Sequence, residues 1–212
     1  MTDFVLVHGA WHGAWCWRKI LPPLWAKGHR AFAVTLTGLG EREHLMSSSI
    51  RLATHIDDVA SVIETEELAR VVLVGHSYAG LLITAVADRY AARIARLVYL
   101  DAIVPRSGES WSSSHDESAR QARRVGIARD GVIPPPPASV FGLAGEDAAW
   151  VDRRQRPHPG GVYDDVLQFD EARVASLPRT FVDCTSPALP AIEKARQRVR
   201  SEPGWQVIEV AT

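Results

Sequence analysis

Val71-Val72-Leu73-Val74 runs directly into Gly75-His76-Ser77-Tyr78-Ala79-Gly80, and an apolar stretch to about Tyr90 follows. A short apolar run stopped by glycine reads as a buried strand, and the longer run after it as a buried helix. The hexapeptide between them leaves room only for one sharp turn. Read as Gly-x-Ser-x-small, with Ala79 in the last position, it is the turn that forces a serine into strained backbone geometry. Small neighbours let the chain pass close to itself. The serine oxygen is lifted above the sheet, at a helix N-terminus that favours developing negative charge. The plainer alternative is an ordinary serine at the start of a helix.

The rest of the chain repeats this alternation. Strands are expected at Phe4–Val7, Arg30–Leu36, Val71–Val74, Leu97–Leu100, Thr180–Val182 and Gln206–Val210. Helices are expected between them: Trp15–Lys27, with a kink or late start at Pro22-Pro23; one opened by the box Thr54-His55-Ile56-Asp57; and Glu193–Arg200. Alternating strands and helices predict a doubly wound, mostly parallel sheet of order 2-1-3-4-5-6, with right-handed crossovers. Residues 105–178 break the rhythm with the Pro134–Pro137 run, Trp111, Phe141, Trp150 and Pro157-His158-Pro159-Gly160-Gly161. A connection this long with so little strand signal reads as a cap or lid inserted over the strand ends. The domain expectation is therefore one domain over 1–212, with 105–178 as a cap within it.

Composition excludes several classes. With 24 basic and 25 acidic residues the net charge is −1, so no cationic surplus points to nucleic acid or an anionic membrane. No apolar run approaches a bilayer span, and the N-terminus carries no signal-peptide pattern, so a cytoplasmic protein is expected. Cys16 and Cys184 are too few for a disulfide framework and read as buried reduced thiols. No His/Cys cluster has metal-ligand spacing, and the glycines after the second strand complete no dinucleotide fingerprint, so neither metal nor cofactor is expected.

His8-Gly9-Ala10-Trp11 follows the first strand. A His-Gly loop beside such a serine supplies a backbone N–H to an oxyanion hole, and the donors are assigned to Ala10 and Tyr78. His8 and His76 read as loop braces. Trp11 either braces the loop or lines the pocket.

The stretch Phe4–Trp17 together with Gly75-His76-Ser77 resembles the α/β-hydrolase subgroup of plant methylesterases and hydroxynitrile lyases. Thr35–Arg42 and Leu97–Ala102 look more like its bacterial esterase-type members. The resemblance implies an α/β-hydrolase fold, Ser77 as nucleophile and no cofactor. It also implies a histidine base after the last strand and an acid after the fifth. Neither stands in that place: the chain reads Ala211-Thr212 after the last strand, and the loop from Cys184 to Pro190 has no carboxylate. The expectation is a C-terminally truncated sequence whose base lies beyond Thr212, and near-loss of activity if the chain ends there. Asp101, after the fourth strand, is taken as the acid, as in some lipases. Asp183 is second, and capping of the turn before Pro105 is the alternative role for Asp101. His12, His44, His115 and His158 are weaker candidates for the base, and His55 reads as a helix-start residue.

The expected function is hydrolysis of a small carboxylic ester through an acyl-enzyme, with Trp11, Trp111 and Trp150 at the substrate. A hydroxynitrile lyase-like enzyme and a non-catalytic small-molecule binder remain alternatives. The expected partner is the ester substrate, not nucleic acid or membrane, and a homodimer is left open.

Overall fold

The computed structural model describes residues 1–211. In chain order the elements are β1 (Asp3–Val7), α1 (Leu21–Ala26), β2 (Arg30–Val34), α2 (Leu52–Thr65), β3 (Val71–His76), α3 (Ala79–Arg89) and β4 (Ile94–Leu100). Then come α4 (Glu117–Asp130), β5 (Val132–Ile133), α5 (Gly145–Asp152), β6 (His158–Pro159) and α6 (Glu171–Ala175). The chain closes with β7 (Arg179–Cys184), α7 (Glu193–Ser201) and β8 (Trp205–Val210).

Six strands form one sheet in the order β2-β1-β3-β4-β7-β8, and every pairing in it is parallel. Counted along the sheet, this is the 2-1-3-4-5-6 order expected from the alternation. The switch in direction falls beside β1 and β3, so their C-terminal ends open a crevice where a doubly wound sheet places its ligand. The two loops of interest, His8–Trp11 and Gly75–Gly80, leave the sheet there.

The core explains the arrangement. Val5, Val7, Leu73, Leu97 and Phe181 are buried from the sheet, and Val59, Ile63, Leu81, Ile83 and Val86 from the helices. Every residue of α3 from Ala79 to Ala87 is buried, which is why that helix carries no polar face. The strands are longer than their apolar runs. Gly75 and His76 still pair with Tyr99 and Leu100, and Ile94 to Arg96 join β4 through ladder bonds that need no apolar side chain.

The late helix start expected at Pro22-Pro23 is observed, while the extent of that helix and the start of the next are corrected. The Trp15–Lys27 helix is a short 3-10 turn, Ala14–Trp17, followed by α1, which starts late at the prolines, where their missing N–H costs nothing. The box at Thr54 lies inside the first turn of α2 instead of opening it. Asp165 accepts from the amide of Leu52 at 2.8 Å, and Thr54 Oγ1 accepts from the Arg51 amide, so the N-cap is Arg51, three residues before Thr54. His55 sits in that first turn, buried.

Between β4 and β7 the insertion holds α4, α5, α6 and the two-residue antiparallel pair β5/β6. No helix among the described residues is long and apolar enough to cross a membrane. Neither cysteine is in a disulfide.

Candidate active site

Ser77 has φ +53°, in the left-handed region that a non-glycine residue enters only when its surroundings enforce it. They do so here. Its amide donates to Leu100 O, and its carbonyl accepts from Gly80 N at 3.1 Å and Ile103 N at 3.0 Å. A Cβ on Gly75 would stand 2.9 Å from Ala79 O, and one on Gly80 would stand 1.8 Å from Ile103 O. The turn closes only because these two positions lack a side chain.

The first loop lies directly against this turn. A Cβ on Gly9 would meet Ser77 Cβ at 3.0 Å and His76 Nδ1 at 2.7 Å. The amides of Ala10 and Tyr78 donate to no protein group among the described residues. Two unpaired N–H groups therefore flank the serine, one on each segment that packs around it. His8 is fully buried; its Nδ1 donates to Gly9 O at 2.7 Å and its Nε2 accepts from Leu36 N at 3.1 Å. Burial pushes its pKa down to about 3, so it is a neutral brace with both nitrogens occupied.

Asp101 follows β4 with φ +40°, 4% exposed, and its amide donates to Val182 O. Arg196 of α7 joins the two sequence-expected acids. Its Nη2 donates to Asp101 at 2.8 Å and its Nε to Asp183 at 2.6 Å. Asp183 is held a second time by Arg200. Burial raises the pKa of both carboxyls. At Asp101 it outweighs Arg196 and the net shift is upward; at Asp183 the two guanidinium bonds outweigh it and the net shift is downward. Asp183 is thus tied into α7, whereas Asp101 also borders a cavity lined by His76, the residue before the serine.

That cavity has a volume of about 400 Å³. His12, Trp15, His76, Asp101, Phe141 and Trp150 are among its walls. Trp150 is held between two cations, with the Arg18 guanidinium 3.7 Å and that of Arg154 4.6 Å from its ring centre, and its edge meets Trp15. Trp11 and Trp111 lie elsewhere. Both are buried and pack on each other at 5.9 Å, Trp111 also packs on Tyr78, and they do not border this cavity. A larger groove of about 580 Å³ runs past Tyr99, Arg179 and Trp205, away from Ser77.

None of the eight histidines hydrogen-bonds Ser77 among the described residues. His12 stacks parallel on His76 at 6.1 Å, and both of its nitrogens are buried without a partner. His115 contacts Ser114 and Tyr163 in the insertion.

The family described as the alpha/beta hydrolase family matches residues 4–211. The chain belongs to that family. The carbendazim hydrolyzing esterase of Nocardioides sp. (strain SG-4G) is 39% identical over 219 residues, covering 99% of this chain and 90% of that protein. Esterase PIR7B of Oryza sativa subsp. japonica is 32% identical over 131 residues, 60% of this chain and 48% of that protein. Among solved structures, an extracellular alpha/beta-hydrolase from a Paenibacillus species superposes with a TM-score of 0.85 at 21% identity, covering 99% of this chain and 90% of that one. In this alpha/beta hydrolase the esterase-type relationship is thus carried by sequence, and the last likeness speaks for the fold alone.

Sequence reasoning did not find Arg196, which reads as one more solvated cation on a charged helix. The signal was present: Ile192, Ala195 and Val199 mark the buried face of α7, and Arg196 lies within it. Trp15 was placed on a helix but not at the cavity.

Proposed function

We propose that this alpha/beta hydrolase cleaves small carboxylic esters with Ser77 as nucleophile. The observation that carries the reading is the enforced left-handed turn at Ser77 with the unpaired amides of Ala10 and Tyr78 beside it. Ser77 Oγ attacks the carbonyl carbon and gives its proton to a general base, with Asp101 as the carboxylate that orients it. The carbonyl oxygen becomes an oxyanion held by the two amides, which need no reorganisation as the charge forms. The protonated base returns the proton to the leaving alcohol, an acyl-enzyme remains, and water releases it by the same steps. No histidine among the described residues hydrogen-bonds Ser77, and the general base is assigned to none of them.

Trp150 and Trp15 supply the aromatic wall for the substrate, while Trp11 and Trp111 support the loop and the Tyr78 ring. Residues 105–178 act as the cap that closes over this wall. The relationship to a carbendazim hydrolyzing esterase supports the ester-hydrolase reading and makes carbendazim a substrate to try. The test is p-nitrophenyl ester hydrolysis by the full natural chain, with Ser77→Ala alongside. Burst release of nitrophenolate that disappears in the variant supports the reading. Undiminished hydrolysis by Ser77→Ala refutes it.

A further inference from the structure

We propose that His158, from the insertion, is a positioning residue that sets the oxyanion hole by clamping the peptide after Ala10. The proposal rests on the reading of Ser77 given above. His158 is fully buried, and its Nδ1 accepts the amide hydrogen of Trp11 at 3.3 Å. Trp11 has φ +66°, a conformation a bulky residue keeps only when its neighbours over-determine it.

Those neighbours all come from one place. Trp11 O accepts from Arg156 N at 2.9 Å, and its indole Nε1 donates to Ile133 O at 3.0 Å. Ile133 pairs with His158 across β5/β6. The two-residue strand pair grips Trp11 by its amide and its ring, and Arg156, two residues before β6, holds its carbonyl.

Ala10 lies between two pinned peptide units. Gly9 O, which shares a peptide unit with the Ala10 amide, is bound by His8. Being trans, that unit points the Ala10 N–H away from His8. The following unit is pinned at the Trp11 amide by His158. The same imidazole packs edge-on against the ring of Tyr78 at 4.8 Å, so it touches both segments that supply donors.

Packing alone does not account for a histidine here. With Nδ1 accepting, the proton sits on Nε2, which is buried with no partner. A phenylalanine would fill the space without that unsatisfied group. What the imidazole adds is the acceptor for Trp11. Burial holds it in the neutral form that acceptance requires.

The test compares His158→Phe with His158→Asn, whose Oδ1 stands near the Nδ1 position, in the full natural chain. The readouts are ester kinetics and inhibition by a trifluoromethyl ketone, whose adduct mimics the oxyanion. His158→Phe is expected to lower kcat about 10²-fold with KM nearly unchanged, as a donor displaced by about an ångström does. The ketone should weaken by the same factor, and His158→Asn should recover most of both losses. If His158→Phe does not fold, His158→Gln, with its acceptor in the Nε2 place, takes its part and is expected to stay slow. Full activity in His158→Phe, or equal activity in the Gln and Asn variants, overturns the proposal while leaving Ser77 as nucleophile. Wild-type protein inert to ester overturns both.

Discussion

The guanidinium of Arg196 donates to the carboxylate of Asp101 at 2.8 Å, with both side chains almost fully buried. The same guanidinium reaches Asp183 on β7, so one cation bridges two carboxylates, and Arg200 supplies the second positive charge. Replacing Arg196 with leucine leaves two buried negative charges side by side, with Arg200 alone to offset them. Breaking a buried pair from one side costs about 3–5 kcal/mol. Arg196→Leu is therefore expected to lower the urea midpoint by a corresponding amount. An unchanged midpoint would show that the network contributes nothing to the fold.

Two glycines give opposite expectations. Gly80→Ala drives a methyl into the carbonyl of Ile103 and displaces the turn that carries Ser77. Overpacking of this kind costs about 1–3 kcal/mol. Gly126 lies within α4, with nothing near an added Cβ. Gly126→Ala should gain about 0.5–1 kcal/mol from the helix preference of alanine. Thermal unfolding of the two variants checks both signs.

The buried histidines set an acid limit. Burial lowers the pKa of His8 and His12 to about 3 and that of His55 and His76 to about 4, from an ordinary 6.5. Their folded-state pKa lies below the unfolded one, so the unfolded chain binds more protons as pH falls. The stability they contribute is complete above about pH 6.5 and drains away as pH drops toward 4 and below. Urea midpoints measured at about pH 7.5 and about pH 5 should fall with acid. A flat or rising profile would contradict the burial of these rings.

The sequence carried the sheet because each central strand is a short apolar run stopped by glycine or a polar turn, as at Val71–Val74. The serine turn was legible for the same reason: one local hexapeptide dictates it. Helix α4 was not anticipated. Its sequence from Glu117 to Asp130 is rich in arginine and buries no residue fully, so periodicity gives no signal, and its N-terminus is fixed by the Asp116 cap. The burial of Arg196 follows from the spacing of α7, but its contact with Asp101 and that of His158 with Trp11 do not, because these partners lie 95 and 147 residues away. Asp183 was partly readable. It shares a strand face with Phe181 and is buried with it, a placement that alternation along β7 implies.

In the proposed mechanism Ser77 presents a reactive hydroxyl beside the amides of Ala10 and Tyr78. The most direct test is to treat the folded, full natural chain with a fluorophosphonate and map the adduct by peptide mass spectrometry. One adduct per chain, on Ser77 and absent after heat unfolding, is the predicted result. A chain that hydrolyses esters yet leaves Ser77 unmodified, with the adduct on another residue, would contradict it.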